Sequence, residues 1–280
     1  MMKILVTGCN GQLGRAVNER FTDSKYELVN TDVGDLDITD VDKVISFIRD
    51  IRPDAIINCA AYTSVDKSES DWDTAYRINA IGPRNLSIAA TDTGARLMHI
   101  STDYVFDGNS SRPYTEFDDT DPQGAYGKTK LEGERFVRQF ADRFYIIRTA
   151  WLYGDGRNFV KTMLRLSEEH DEVRVVSDQF GTPTGAAELA GAVEFLLNTD
   201  NYGIFHGTCE GSCSWADFTE EIFRIRKVNT RVIRIGTDEY PTPAKRPAYS
   251  VLDNYMFRLT SDYCFPDWHD AIRRYLEKNE

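Results

Sequence analysis

The chain has 280 residues, 41% hydrophobic and 12% aromatic, which is enough to bury a core without disulfide or metal staples and too much for a disordered chain. Its 33 basic and 45 acidic residues leave a formal charge of −12, which argues against nucleic acid or an anionic membrane as partner but not against an anion held locally by backbone N–H groups. No apolar run is long enough to cross a bilayer, no signal-peptide pattern opens the chain, and five cysteines without framework spacing are expected as free thiols in the cytoplasm.

Residues 3–7 (KILVT) read as a buried strand, 12–20 as a helix and 26–30 (YELVN) as a second strand. Val41, Val44, Ile45, Ile48 and Ile51 fall at helical spacing. A third strand is expected at 54–58 (DAIIN), then a long helix over 72–90 with Pro83 as a point of kinking. Residues 96–101 (RLMHIS) read as a fourth strand, 126–140 as a helix and 144–149 (FYIIRT) as a fifth strand. This alternation predicts a parallel sheet covered on both faces. Beyond Trp151, residues 173–177 (VRVVS) are expected to add one more strand to that sheet, followed by a helix at 186–197. Short strands at 203–207 and 232–235 mix with helices at 214–225 and 267–278.

The loop Thr7-Gly8-Cys9-Asn10-Gly11-Gln12-Leu13-Gly14 joins the first strand to the first helix, with glycines at 8, 11 and 14. A tight strand-to-helix turn needs positive φ, a nearby phosphate tolerates no Cβ, and the helix N-terminus offers free N–H groups. In this context the triplet reads as a dinucleotide fingerprint. Asp32, closing the second strand, is placed to accept from the adenine ribose hydroxyls, and Asp37 and Ile38 to flank the adenine. The expected fold is therefore a Rossmann-type doubly wound α/β sheet with a smaller interlaced α/β substrate domain. Residues 1–150 plus about 172–198 would bind the dinucleotide, and about 151–171 and 199–280 the substrate. Gly127-Lys128-Thr129 imitates the end of a Walker A loop, but Pro122 stands where that motif needs glycine.

Tyr126 and Lys130 form a Tyr-x₃-Lys pair on one face of the predicted helix. A phenol titrates near 10, and a neighbouring cation favours its phenolate, which suits it to acid–base work. Thr102, at the end of the fourth strand, can hydrogen-bond a substrate oxygen beside that phenol. Cys209 and Cys213 lack the partners of a zinc site, and His99, His170, His206 and His269 show no ligand spacing.

Together the glycine loop, the strand-end threonine and Tyr-x₃-Lys resemble the extended short-chain dehydrogenase/reductase family. The stretches 58–66 (NCAAYTSVD), 101–108 (STDYVFDG), 148–154 (RTAWLYG) and 246–250 (RPAYS) are similar to its dTDP-4-dehydrorhamnose reductase branch, over nearly the whole chain. Cys9 departs from the alanine usual in that phosphate loop. The resemblance implies NADPH or NADH as cofactor. Gly8, Asn10, Gly11, Gln12, Leu13 and Gly14 would lie at the pyrophosphate, and Ala60, Ala61, Tyr62 and Thr63 toward the nicotinamide. Lys130 would bond the nicotinamide ribose and lower the Tyr126 pKa. The implied reaction is reduction of the C4 ketone of dTDP-4-dehydro-L-rhamnose, with Tyr126 donating the proton and Thr102 holding the oxygen. Thr102, Asp103 and Trp151 would contact the sugar, and Asn158, Phe159 and Arg246 the nucleotide. Asn79 would support the lysine through water, and 179–184 would form a substrate-side loop. Glu188 matches a glutamate of magnesium-linked dimers in the family, but no ligand set assembles, so no metal is expected. The partner is a dTDP-sugar, with a homodimer left open. Asp103-Tyr104 stands where a dehydratase needs Asp-Glu. Another nucleotide-sugar 4-ketoreductase, an epimerase, or a non-catalytic regulatory subunit of a methionine adenosyltransferase are the alternatives.

Overall fold

In the computed structural model, which describes residues 1–278, strand and helix alternate through the first half of the chain. β1 (Met2–Thr7), α1 (Gln12–Arg20), β2 (Tyr26–Thr31), α2 (Val41–Ile51) and β3 (Ala55–Asn58) come first. Two short helices, α3 (Val65–Ser68) and α4 (Trp72–Tyr76), run through a π-helical turn (Arg77–Ile81) into α5 (Gly82–Thr93). β4 (Arg96–Thr102), a 3-10 turn (Asp103–Val105), α6 (Ala125–Phe140) and β5 (Phe144–Thr149) follow. The second half contains β6 (Leu152–Tyr153), α7 (Phe159–Glu169), β7 (Glu172–Val176), β8 (Phe180–Gly181), β9 (Thr184–Gly185) and α8 (Ala186–Leu197). It ends with β10 (Gly203–His206), β11 (Cys213–Ser214), α9 (Trp215–Arg226), β12 (Arg231–Ile235), α10 (Tyr255–Thr260) and α11 (Trp268–Lys278).

Six parallel strands form the central sheet in the order β10-β5-β4-β3-β1-β2. Both faces are buried, so each strand divides its apolar residues between two cores. Ile4, Val6, Ile57, Met98, Tyr145 and Ile147 face one side, where α1 and α8 supply Leu13, Val17, Leu189 and Val193. Leu5, Ile56, Leu97 and Ile146 face the other, against Val44, Ile48, Leu86 and Val137 of α2, α5 and α6. The chain steps outward from β1 to β2 and then back to β3, so the switch of direction lies between β1 and β3. Ligands bind at such points in open α/β sheets.

The long helix expected at 72–90 is interrupted rather than only kinked. Pro83 has no N–H to give the Asn79 carbonyl four residues back, and a π-helical turn absorbs the missing bond. The Asn79 carbonyl then faces α6 at Gly133, where a Cβ would come within 2.2 Å of it.

The strand expected at 173–177 does not join the central sheet. It is β7, paired in parallel with β12 in a separate ladder. Its burial alternates, with only Val173, Val175 and Val176 covered, which suits a strand packed on one face. The sixth place in the central sheet goes to β10, whose Phe205 and His206 are fully buried. β7 belongs to a second buried cluster, with Val160 and Met163 of α7, Phe218 and Ile222 of α9, and Ile272 and Leu276 of α11. Residues 279–280 of the expected substrate region lie outside the described residues. Among the described residues no helix is long and apolar enough to cross a membrane.

Candidate active site

The loop after β1 turns sharply: the Gly11 N–H donates to Gly8 O at 3.1 Å, and Gly8 has φ +65°. Gly8 lies against the chain just after β3, where a Cβ would sit 2.7 Å from the Ala60 backbone. Gly14 lets α1 close over the loop, since a Cβ there would meet Gly8 O at 2.3 Å. Beside this turn runs a cleft of about 650 Å³ whose walls include Gly8, Asn10, Gly11, Asp32, Asp37, Ile38, Ala60 and Ala61. Asp32 Oδ2 accepts from Asn10 N at 3.2 Å and Oδ1 from Val33 N at 2.8 Å, which fixes the carboxylate at the cleft edge. Leu13 and Gly14 lie buried beneath the loop. Gln12 faces the opposite side, and its Oε1 is buried without a partner. Arg77 of the π-helical turn also lines the cleft. Nothing in its local sequence marked it, because the turn that presents it arises from Pro83.

At the nicotinamide end of the expected site, Asn79 pins the chain after β3. Its Oδ1 accepts from Tyr62 N at 2.8 Å, and its Nδ2 donates to Tyr62 O and Thr129 Oγ1, both at 3.1 Å. These bonds satisfy Asn79 and tie the 62 loop to α6. Tyr62 Oη donates to Asp71 at 3.1 Å, and Thr63 is exposed.

α6 carries the acid–base candidates. Gly124, its N-cap, has no side chain to offer, and Glu69 Oε1 instead accepts the Ala125 N–H at 2.8 Å. Gly127 allows the helix to touch the 3-10 turn, since a Cβ there would sit 2.1 Å from Tyr104 O. The close approach brings Tyr126 to the end of β4, beside Thr102. The Tyr104 ring meets the Tyr126 ring edge-on at 5.5 Å. Lys130, one turn further, is buried and donates to Ile100 O at 2.6 Å.

Burial dominates the electrostatics. It pushes the Tyr126 phenol well up, with the Asp103 charge adding to the effect and the neighbouring Thr102 hydroxyl opposing it. It pushes Lys130 down to about 8, against the pull of Glu134 and Cys59. The expected lowering of Tyr126 by Lys130 is not seen here, because the ammonium is turned to the Ile100 carbonyl. Asp103 is pushed up to about 6 by burial, against hydrogen bonds from Ser250 and Thr102. Beneath the site, Glu134 of α6 holds Arg148 of β5 through bonds of 2.7 and 2.9 Å and accepts from Ser101 at 2.5 Å. An arginine inside the apolar run of β5 was the sequence signal that such a partner must exist.

On the far side of Tyr104 lies a cavity of about 420 Å³, with Phe159, Trp215 and Tyr240 as aromatic walls and Arg174, Gln179 and Arg246 as polar groups. Arg246 reaches it from the C-terminal part, paired with Asp66 at 2.7 Å and donating to Tyr104 Oη at 3.2 Å. Trp215 lines the cavity, and Trp151 stacks flat on it at 3.4 Å with a backbone φ of +47°. Gly181 leaves room for that indole: a Cβ would come within 2.4 Å of it. The Asn158 side chain is engaged otherwise. It caps α7 by accepting from Lys161 N at 3.0 Å and donates to Gly154 O at 2.6 Å. An asparagine just before an amphipathic run is itself an N-cap signal. Trp215, Arg174 and Tyr240 come from distant segments, and no local pattern joined them to the site.

A cleft beside a glycine-rich turn, a half-buried Tyr126 with a buried Lys130, and an aromatic, cationic cavity could together hold a dinucleotide against a second nucleotide ligand. The comparisons agree with that geometry. The family model described as the RmlD substrate binding domain matches residues 2–280. A curated dTDP-4-dehydrorhamnose reductase of Aggregatibacter actinomycetemcomitans is 41% identical, over 99% of this chain and 100% of that protein. The crystal structure of a dTDP-4-dehydrorhamnose reductase from Clostridium acetobutylicum superposes with a TM-score of 0.98 at 53% identity, covering 99% of each chain. One from Bacillus anthracis, solved in complex with NADP, gives 0.97 at 41%, again covering 99% of each chain.

Proposed function

The chain belongs to the RmlD substrate binding domain family, and from that premise we propose that its cleft and cavity serve NAD(P)H-dependent reduction of the C4 ketone of dTDP-4-dehydro-L-rhamnose to dTDP-L-rhamnose. The observation that carries the reading is the meeting of Thr102 and Tyr126, with buried Lys130 one turn on, between a dinucleotide cleft and an aromatic, cationic cavity.

The cofactor fits what the chain offers. Gly8 and Gly14 let the turn close tightly on its own backbone, where a Cβ would clash, so that the first turn of α1 presents free N–H groups to the cleft, and Asp32 stands where the ribose would lie. When bound, the reduced nicotinamide supplies the hydride. Lys130, held in this geometry on the Ile100 carbonyl, would bond the nicotinamide ribose and from there bring its positive charge toward Tyr126. Tyr126 donates its proton to the developing alkoxide at C4, and Thr102 orients that oxygen. Arg246 and Arg174 meet the diphosphate, while Phe159, Trp215 and Tyr240 enclose the base. Trp151 backs Trp215, and Asp103 lies behind Thr102.

We assign the dinucleotide to the part built on the six-stranded sheet and the sugar nucleotide to the part built on the second buried cluster. On this division 186–198 goes with the first part and β7 with the second. We place the protein in the cytoplasm, a reading supported by its five free thiols.

The test is loss of the reduced-nicotinamide absorbance with dTDP-4-dehydro-L-rhamnose generated in situ. Wild type should oxidise one NAD(P)H per ketone. Tyr126→Phe should lower kcat by about 10²–10⁴-fold and leave the cofactor Kd within about twofold. Equal loss of both would remove the proton-donor role.

A further inference from the structure

The turn that follows β2 carries two carboxylates, folded together by its own backbone. The Asp35 and Leu36 N–H groups both donate to Asp32 O at 2.9 Å, and Asp35 Oδ2 accepts the Asp32 N–H at 3.0 Å. Asp35 is thereby held against Asp32, while buried Leu36 anchors the turn. Asp32 is itself fixed at the cleft edge by two backbone donors, Asn10 N on Oδ2 and Val33 N on Oδ1. An ionised carboxylate offers about four lone-pair positions. Each Asp32 oxygen therefore keeps room for one ribose hydroxyl, which is a donor. A 2′-phosphate in that place removes a donor and brings about two negative charges at pH 7.

The cations nearby do not offset those charges. Val33 is 76% exposed and Gly34 has no side chain, so neither residue after Asp32 brings a positive group. Arg15 reaches the glycine-rich loop but is engaged elsewhere: its Nε donates to Asn10 O at 2.9 Å, and its Nη1 pairs with Asp155 at 2.6 Å. Asp155 stands with Gln12 on the opposite side of that loop. Among the described residues lining the cleft, Arg77 is the one cation. Its carbonyl accepts the Gly82 N–H, and Gly82 packs on the Ile38 side chain, which ties Arg77 to the expected adenine side. Asp37, also on the rim, is engaged with Thr39, whose N–H and hydroxyl donate to its Oδ1 at 2.9 and 2.8 Å.

We propose that Asp32 and Asp35 act as a pair that selects NADH over NADPH, with Asp35 a specificity-determining residue of the cofactor site. The inference rests on the dinucleotide reading of the cleft above. It goes beyond a ribose contact at Asp32, because it assigns part of the discrimination to a second carboxylate. Asp35 needs no contact with the cofactor, since like charges near a protein surface repel over several ångströms. Salt screens such repulsion, whereas it leaves a steric block untouched.

The experiment is fluorescence titration of NADH and NADPH into wild type, Asp35→Asn and Asp35→Lys, at about 0.01 M and about 1 M salt. The melting temperature is recorded for each protein. Wild type should bind NADH about tenfold more tightly than NADPH at low salt, and the ratio should move toward one at high salt. In Asp35→Asn the amide oxygen can still accept the Asp32 N–H, so the turn is kept. That variant should tighten NADPH by about threefold or more and leave the NADH Kd within about twofold. Asp35→Lys should bring the NADPH Kd to that of NADH or below it. Equal affinity of wild type for the two cofactors at low salt overturns the proposal. So does a preference for NADPH, or a preference for NADH that salt leaves unchanged. An Asp35→Asn protein that melts as wild type does, yet shifts both cofactors alike or neither, overturns it as well. Binding of both cofactors without the expected preference leaves the dinucleotide reading standing and removes only the role of Asp35. Binding of neither removes both.

Discussion

Tyr126 starts from an unfavourable place for an acid–base group, half-buried and close to a carboxylate. The charge that would ease its ionisation sits on Lys130, which in this geometry is bonded to the Ile100 carbonyl. Lys130→Met should therefore act twice, on cofactor hold and on proton transfer. We expect kcat to fall by about 10²-fold or more and the NADPH Kd to rise, and stopped-flow binding together with turnover would separate the two. At the other end of the cleft, Asp32 keeps a carboxylate where a 2′-phosphate would approach. Asp32→Asn should shift the NADPH-to-NADH affinity ratio about tenfold toward NADPH, the scale of a charge contact of about 1–4 kcal/mol near a surface. An unchanged ratio, measured by fluorescence titration of both cofactors, would place Asp32 away from the ribose. Single residues with a fixed spacing were the most legible part of the sequence. Tyr126, Lys130 and the strand-end Thr102 are tied by local geometry, whereas Asn158 carried a capping signal that competes with its reading as a ligand contact.

α6 shows how an element converts spacing into a site. Its i, i+4 pattern places Tyr126 and Lys130 on one face, but the depth at which it sits is set by residues it lacks. Gly127 and Gly133 each leave a Cβ-sized gap filled by a carbonyl, of Tyr104 and of Asn79. Alanine ordinarily stabilises a helix relative to glycine by about 0.5–1 kcal/mol. Gly127→Ala should do the reverse, because its Cβ would force α6 off the 3-10 turn. We expect a loss of about 1–3 kcal/mol in a denaturant melt together with reduced kcat, although the new methyl meets no ligand. Strands of the first half were readable because burial on both faces gives continuous apolar runs. The 173–177 run looked the same in type, but its alternation of covered and exposed residues belonged to a one-faced strand. The partners of β7 lie in β12, far along the chain, and no local rule named them. The interruption at 77–81 was legible only as a proline; that the Asn79 carbonyl would meet Gly133 is a tertiary fact.

At the scale of the molecule, the sheet and the C-terminal segment are joined by a buried polar seam. His206 of β10 points Nδ1 at Tyr114 O and Asp253 O, at 3.0 and 3.1 Å, while Glu116 accepts the His206 N–H at 2.7 Å. Burial, and then the charge of Arg148, pushes His206 down to about 3. Its folded value thus lies below the unfolded value near 6.5. The stability it confers is full above about pH 6.5 and is lost as pH falls toward the folded value. His99, also buried and pushed down, adds to the same trend. Between about pH 6 and pH 4 the unfolding free energy of wild type should fall more steeply than that of His206→Gln, by about 1.4 kcal/mol per pH unit. Parallel slopes would show that His206 is charged in the folded state.

The central claim is net reduction at C4, and the most direct measurement follows the transferred hydrogen. The enzyme would be supplied with dTDP-4-dehydro-L-rhamnose and NADPH deuterated at nicotinamide C4, as separate diastereomers, and the product analysed by NMR and mass spectrometry. The account predicts one deuterium at C4 of dTDP-L-rhamnose from one of the two diastereomers, with one cofactor oxidised per sugar. Formation of a sugar epimer with no net cofactor oxidation, or a product carrying deuterium from neither diastereomer, would contradict it.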